Sequence, residues 1–148
     1  MNQAVARLEK YEGIDPEVWS ETYETEPQGL KDQPWFKNQV VRFDVDPELW
    51  SAEGFLSTLQ AVEGQMDRVR DVKNGPRTID LDIILFGDRI INSGAYLTVP
   101  HPRALDRAFV LLPMTDIDPN LVFPDGTSVA DALKKIDYRT EGNKIYQD

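Results

Sequence analysis

A chain of 148 residues with 41% apolar content has the size and composition of one compact domain over residues 1–148 rather than two. Its net charge of −10 disfavours nucleic acid and anionic lipid surfaces as partners, which argues against a DNA-coating or membrane-surface role. With no cysteine and a single histidine, disulfides, thiolate zinc sites and a thiol nucleophile are excluded, and any metal must be held mainly by oxygen.

Arg7, Glu9 and Lys10 charge the first ten residues, and the longest apolar run is Ala108 to Leu112. Neither a signal peptide nor a spanning helix is expected, so the default location is the cytoplasm. In chain order, Val5 and Leu8 suggest a short helix with Asn2 as its cap, ending near Gly13. Residues 18–25 and 36–45 read as strands, separated by a loop with two prolines. Phe55, Leu56, Leu59, Val62 and Met66 recur at helical spacing and predict a helix over 51–66. The run 78–86 reads as a largely buried strand, and 104–117 and 128–136 as helices, the last capped by Ser128 or Thr127. This order is α+β. It is one strand short of the ferredoxin-like, split βαβ layout, with additional C-terminal helices.

Residues 66–107 hold seven of the sixteen Lys and Arg and the only histidine, so a small polyanion is a fitting ligand for the middle of an otherwise acidic chain. Within it lies Asp80-Leu81-Asp82. On a strand the two carboxylates share one face, roughly 7 Å apart, while Leu81 points the other way. Paired carboxylates with few other protein ligands suit Mg²⁺, which completes its shell with water and substrate phosphates. Arg68, Arg70 and Arg77 precede the pair, and arginine forks match phosphate oxygens. His101 sits between Pro100 and Pro102 on a stiff, non-helical segment, where it can donate to a phosphate. Structural readings stand beside these: arginines pairing with neighbouring aspartates, a structural histidine, and phenylalanines that simply fill a core.

The run Asn74-Gly-Pro-Arg77-Thr-Ile-Asp80-Leu-Asp82-Ile-Ile-Leu-Phe86 resembles the signature of the 6-hydroxymethyl-7,8-dihydropterin pyrophosphokinases. Further matches follow in order: Thr25, the Asp32-Gln33-Pro34 loop, Asn38, Gln60 and Glu63, Arg68-Val-Arg70, Thr98-Val-Pro-His101, Arg107 and Phe109, and Leu121 to Gly126. The resemblance implies a folate-pathway enzyme that transfers diphosphate from ATP to the hydroxymethyl group of a dihydropterin and releases AMP. It implies that Asp80 and Asp82 hold two Mg²⁺ ions, and that Arg68, Arg70, Arg77, His101 and Arg107 face the phosphates. Gln60, Glu63 and Thr98 fall on the ATP side. Phe36 and Phe109 sandwich the pterin, with Asn38 at its rim and backbone near Thr25 completing recognition. The alternative is a non-catalytic nucleotide- or pterin-binding module derived from the same family. A metal-dependent nuclease using the aspartate pair is disfavoured by the charge of −10.

The sequence departs from the family pattern at three places. The family's first strand, ending in Gly-Ser-Asn, has no counterpart, and Met1 falls where the following helix begins. Unpaired sheet edges and self-association through them are therefore expected. Asn74 stands where an aromatic lid residue is common, and Pro102 where tyrosine is common, which puts lid closure in question.

Overall fold

The computed structural model describes residues 2–26, 35–68 and 79–147. Helix α1 (Asn2–Glu9) buries Ala4, Val5 and Leu8, one stripe at helical spacing, and Asn2 is its first helical residue rather than its cap. The chain turns at Gly13, whose φ of 81° favours glycine, and whose carbonyl accepts from the Asp46 amide at 2.8 Å. Strand β1 (Ile14–Trp19) follows, then β2 (Tyr23–Thr25), β3 (Phe36–Asn38) and β4 (Val41–Val45). The two expected strands are thus four. The long hairpin breaks at Ser20, where the amide donates to the Val40 carbonyl and the hydroxyl accepts from the Val40 amide. Beyond the break β2 and β3 leave the β1–β4 pair and join a different sheet.

Helix α2 (Ala52–Arg68) starts where Ser51 Oγ accepts from the Gly54 amide at 3.0 Å, a cap that satisfies one free donor of its first turn. Its apolar stripe of Phe55, Leu56, Leu59, Val62 and Met66 is buried, as the spacing predicts. These side chains share one core cluster with Leu8, Ile14, Ile79, Ile83 and Val99, and Phe43 and Phe86 both pack on Phe55, with ring centroids 6.0 and 6.2 Å away.

The segment 79–86 differs from expectation. Its alternation is real, with Ile79 and Ile83 buried and Asp80 and Asp82 exposed, but none of it forms a strand ladder among the described residues. An apolar alternating run specifies which side chains are buried; it does not supply a hydrogen-bonded neighbour. Here the backbone is tied singly, Leu81 N to Glu63 Oε2 at 2.8 Å and Ile84 O to the His101 amide at 3.0 Å.

Strands β5 (Ile91–Asn92) and β6 (Thr98–Val99) form a small hairpin before the cis Val99–Pro100 bond. The expected helix 104–117 divides into a 3₁₀ turn (Ala104–Asp106) and α3 (Ala108–Ile117), separated by Arg107 in an extended conformation. Helix α4 (Val129–Lys134) is capped by Ser128, which accepts from the Asp131 amide at 2.9 Å. No helix among the described residues is long and apolar enough to cross a membrane.

Two further strands close the chain, β7 (Tyr138–Glu141) and β8 (Lys144–Gln147). They are joined by Gly142-Asn143, with Gly142 at φ 60° and Glu141 opposite Lys144, the two-residue hairpin geometry that wants glycine first. The sheet order is β3-β2-β8-β7, with β8 parallel to β2. Ile145 on β8 is 1% exposed and enters a second core cluster with Tyr23, Leu111, Met114, Phe123 and Val129.

Candidate active site

The candidate residues fall into two groups. The first surrounds the exposed carboxylates of Asp80 and Asp82, which project outward because their neighbours Ile79 and Ile83 anchor the segment in the core. Glu63, one turn along α2 from the exposed Gln60, accepts the Leu81 amide and so fixes the backbone between the two aspartates. This hydrogen bond is a role for Glu63 that the sequence did not disclose. Thr98 is exposed on β6, and the next residues lead to His101, whose amide is bonded to the Ile84 carbonyl. The aspartate segment and the histidine loop are thereby held together. Arg68 is the last residue of α2, while Arg70, Arg77, Asn74 and the Asp32-Gln33-Pro34 loop lie outside the described residues.

His101 Nδ1 accepts from the Arg103 amide at 3.2 Å, so the neutral ring carries its proton on Nε2 and presents that atom as a donor. Burial pushes its pKa below the ordinary 6.5, the charge of Asp82 opposes this, and Arg107 and Arg103 add to it. A histidine whose folded pKa is depressed contributes stability that is fully present above the unfolded value and is lost as the pH falls toward the folded one. We expect the imidazole of the magnesium-free chain to titrate below 6.5 in a proton NMR titration. Asp82→Asn should lower it further, since it removes the one charge that raises it; a rise on that substitution would show that Asp82 does not act on the ring.

A cavity of about 230 Å³ opens beside His101, between Pro100 and Phe123, and neither aspartate lines it. The aspartates instead face an open surface. That suits a ligand carrying several charged oxygens better than an enclosed apolar one.

The second group lies on β2, β3 and the start of α3. Asn38 Nδ2 donates to Thr25 Oγ1 across the β2–β3 pair at 2.9 Å, and Thr25 stands opposite Phe36 in the register. Phe36 is 52% exposed, which rules out the core reading for it. Phe109 is half-buried against the second core cluster, and the Arg107 guanidinium lies 5.4 Å from its ring centroid. Tyr23 donates to Asp116 Oδ2 at 2.7 Å and so fastens β2 to α3; burial and that carboxylate hold the phenol above its ordinary pKa.

Over residues 1–119 the chain matches the family described as 7,8-dihydro-6-hydroxymethylpterin-pyrophosphokinase. It belongs to that family. Among its relatives, the 2-amino-4-hydroxy-6-hydroxymethyldihydropteridine pyrophosphokinase of Pseudomonas aeruginosa is 42% identical over 114 residues, covering 77% of this chain and 68% of the relative. The enzyme of the same name from Methylorubrum extorquens is 38% identical over 134 residues, 90% of this chain and 82% of the relative. The folic acid synthesis protein fol1 of Pneumocystis carinii is 43% identical over 125 residues, 84% of this chain but only 16% of that much longer protein. Two of these names denote a pyrophosphokinase and the third a folic acid synthesis protein, and none denotes a binding module without turnover. Both residue groups described above lie within the stretch that carries the family match.

Proposed function

We propose that this chain transfers the diphosphoryl group of ATP to the hydroxymethyl oxygen of 6-hydroxymethyl-7,8-dihydropterin and releases AMP. The observation that carries this reading is the presentation of Asp80 and Asp82 on one exposed side of an anchored segment, with Glu63 fixing the amide between them and His101 tied alongside. Among the described residues no cluster of three or more His, Asp or Glu side chains could cage a metal unaided. Two exposed carboxylates are a donor set for Mg²⁺ ions that also take phosphate oxygens, and two ions would be held by Asp80 and Asp82. When bound, Mg²⁺ neutralises charge on the phosphates.

The chain's own residues do the rest. His101 Nε2 donates to one of the polyphosphate oxygens. Arg107, with Arg68, Arg70 and Arg77, offsets the charge that develops as the substrate hydroxyl oxygen bonds to the β-phosphorus and the bond to the AMP oxygen breaks. Gln60 and Thr98 lie toward the nucleotide. Phe36 and Phe109 hold the flat pterin between rings, and Asn38, oriented by Thr25, meets its polar edge.

The test is product analysis with ATP, Mg²⁺ and the dihydropterin: AMP and diphosphorylated pterin should appear in equal amounts. ADP in place of AMP, or tight binding of both substrates with no product, would overturn the reading. Phe36→Ala adds the pterin arm. Because Phe36 is largely exposed, the variant should melt close to wild type while pterin affinity falls several-fold to about tenfold, the scale of one aromatic stacking contact.

A further inference from the structure

The β7–β8 hairpin lies beyond residue 119, outside the stretch that matches the family, yet it touches both halves of the pterin-facing group. Toward β2 it adds a parallel strand, with Glu24 opposite Lys144 and Thr25 opposite Ile145, and the Glu24 amide donates to the Asn143 carbonyl at 2.9 Å. Tyr146 packs edge-on against Trp35, the residue before Phe36, with centroids 5.3 Å apart. Lys144 Nζ lies 4.8 Å from the centroid of the same indole.

Toward α3 the contact is made by one side chain. Gln147 Oε1 accepts from the Ala108 amide at 2.8 Å, and Gln147 Nε2 donates to the Asp106 carbonyl at 2.7 Å. Ala108 opens α3, so its amide is one of the four donors that a helix leaves without an internal partner. Arg107 occupies the cap position and its side chain makes no capping bond. Arginine is a poor cap, and the amide supplied from the far end of the chain takes over that task. The two bonds grip the backbone immediately before and immediately after Arg107. They leave its guanidinium over the adjoining Phe109 ring.

We propose that Gln147 is a positioning residue for Arg107 and Phe109, and that the C-terminal hairpin is a strap that sets α3 against the β2–β3 hairpin for pterin recognition. The proposal rests on the pterin reading given above. A side chain that accepts from one peptide and donates to another two residues away fixes the extended backbone at Arg107, and with it the direction in which Arg107 and Phe109 leave the main chain.

The experiment compares wild type, Gln147→Ala and Gln147→Glu in the full chain. Steady-state kinetics are measured for each substrate, with thermal melts and exchange of the Ala108 amide. Gln147→Ala should raise KM for the dihydropterin about five- to tenfold, the scale of two neutral hydrogen bonds partly replaced by water, and speed Ala108 exchange. KM for ATP should stay within about twofold, while kcat falls several-fold because a displaced Arg107 no longer offsets the charge developing on the phosphates. Gln147→Glu keeps the acceptor for Ala108 and loses the donor to Asp106, so Ala108 should remain protected while the pterin KM rises less; this variant also serves should the alanine variant fail to fold. A pterin KM within twofold of wild type in both variants overturns the proposal. So does a uniform loss of both substrates that tracks the folded fraction, since that is a structural role alone. A wild-type chain that makes no AMP overturns the functional reading instead and takes the ligand of this proposal with it, whereas an active wild type beside unaffected variants overturns only the strap.

Discussion

Asp82→Ala is expected to lower kcat by about 10²- to 10³-fold, the scale on which one preorganised electrostatic group at a reacting centre acts. Asp82 is exposed, and its neighbours Ile79 and Ile83, not its own side chain, hold the segment in place. The variant should therefore fold and melt like wild type. Its loss should appear as a raised Mg²⁺ requirement as well as a lower plateau, because the remaining carboxylate cannot by itself do the work of a pair. Asp80→Ala should behave alike. Magnesium titrations of turnover for both variants decide it, and near-wild-type turnover of folded Asp82→Ala would remove the basis for placing the phosphates there.

The largest expected loss of stability lies far from those carboxylates. Ile145→Ala should cost about 2–5 kcal/mol, the range for removing a buried isoleucine down to its β-carbon. Ile145 is 1% exposed and packs in the cluster that joins Tyr23 of β2 to Leu111 and Met114 of α3 and Val129 of α4, so the space left is walled by three elements that cannot all close in. Against a total stability of about 5–15 kcal/mol, that is a loss readily measured by urea denaturation. A change below about 1 kcal/mol would mean that the terminal hairpin is laid on the surface without being part of the core. The two predictions separate cleanly: one variant is folded and inactive, the other active to the extent that it is folded.

What the sequence disclosed tracks how local the signal is. Helix α2 was legible because its stripe is set by residues three and four apart, and the buried set matches that spacing. The α+β class followed from the order of elements. In 79–86 the burial alternation was legible and the absence of a ladder was not, since pairing depends on distant backbone. The break in the long hairpin at Ser20 was hidden in a run of strand-forming residues, because its cause is a hydroxyl that reaches Val40 across the pair. The C-terminal strands were missed although Gly142-Asn143 is a hairpin signal, because Tyr138-Arg-Thr-Glu carries too little apolar alternation to draw notice. In the site, residue types and their order pointed to phosphate chemistry, whereas the pterin came only from the resemblance to a family. The sequence did not disclose Glu63 as the support of Leu81, or Gln147 as the clamp on Asp106 and Ala108, because each acts through a backbone atom of a remote segment.

The parallel pairing of β2 with β8 also bears on when this sheet is assembled during synthesis. Thr25 meets Ile145, so β2 lacks its parallel neighbour until residues 144–147 have left the ribosome. At about 5–20 residues per second, that delay is on the order of ten seconds, during which β2 has only β3 as a neighbouring strand among the described residues. The α1–α2 layer waits less, because its core partners extend only as far as Val99. Closing so long a loop costs entropy that grows only slowly with length, but it is returned only when Ile145 is buried. The face proposed to meet the pterin is thus finished later than the α1–α2 layer.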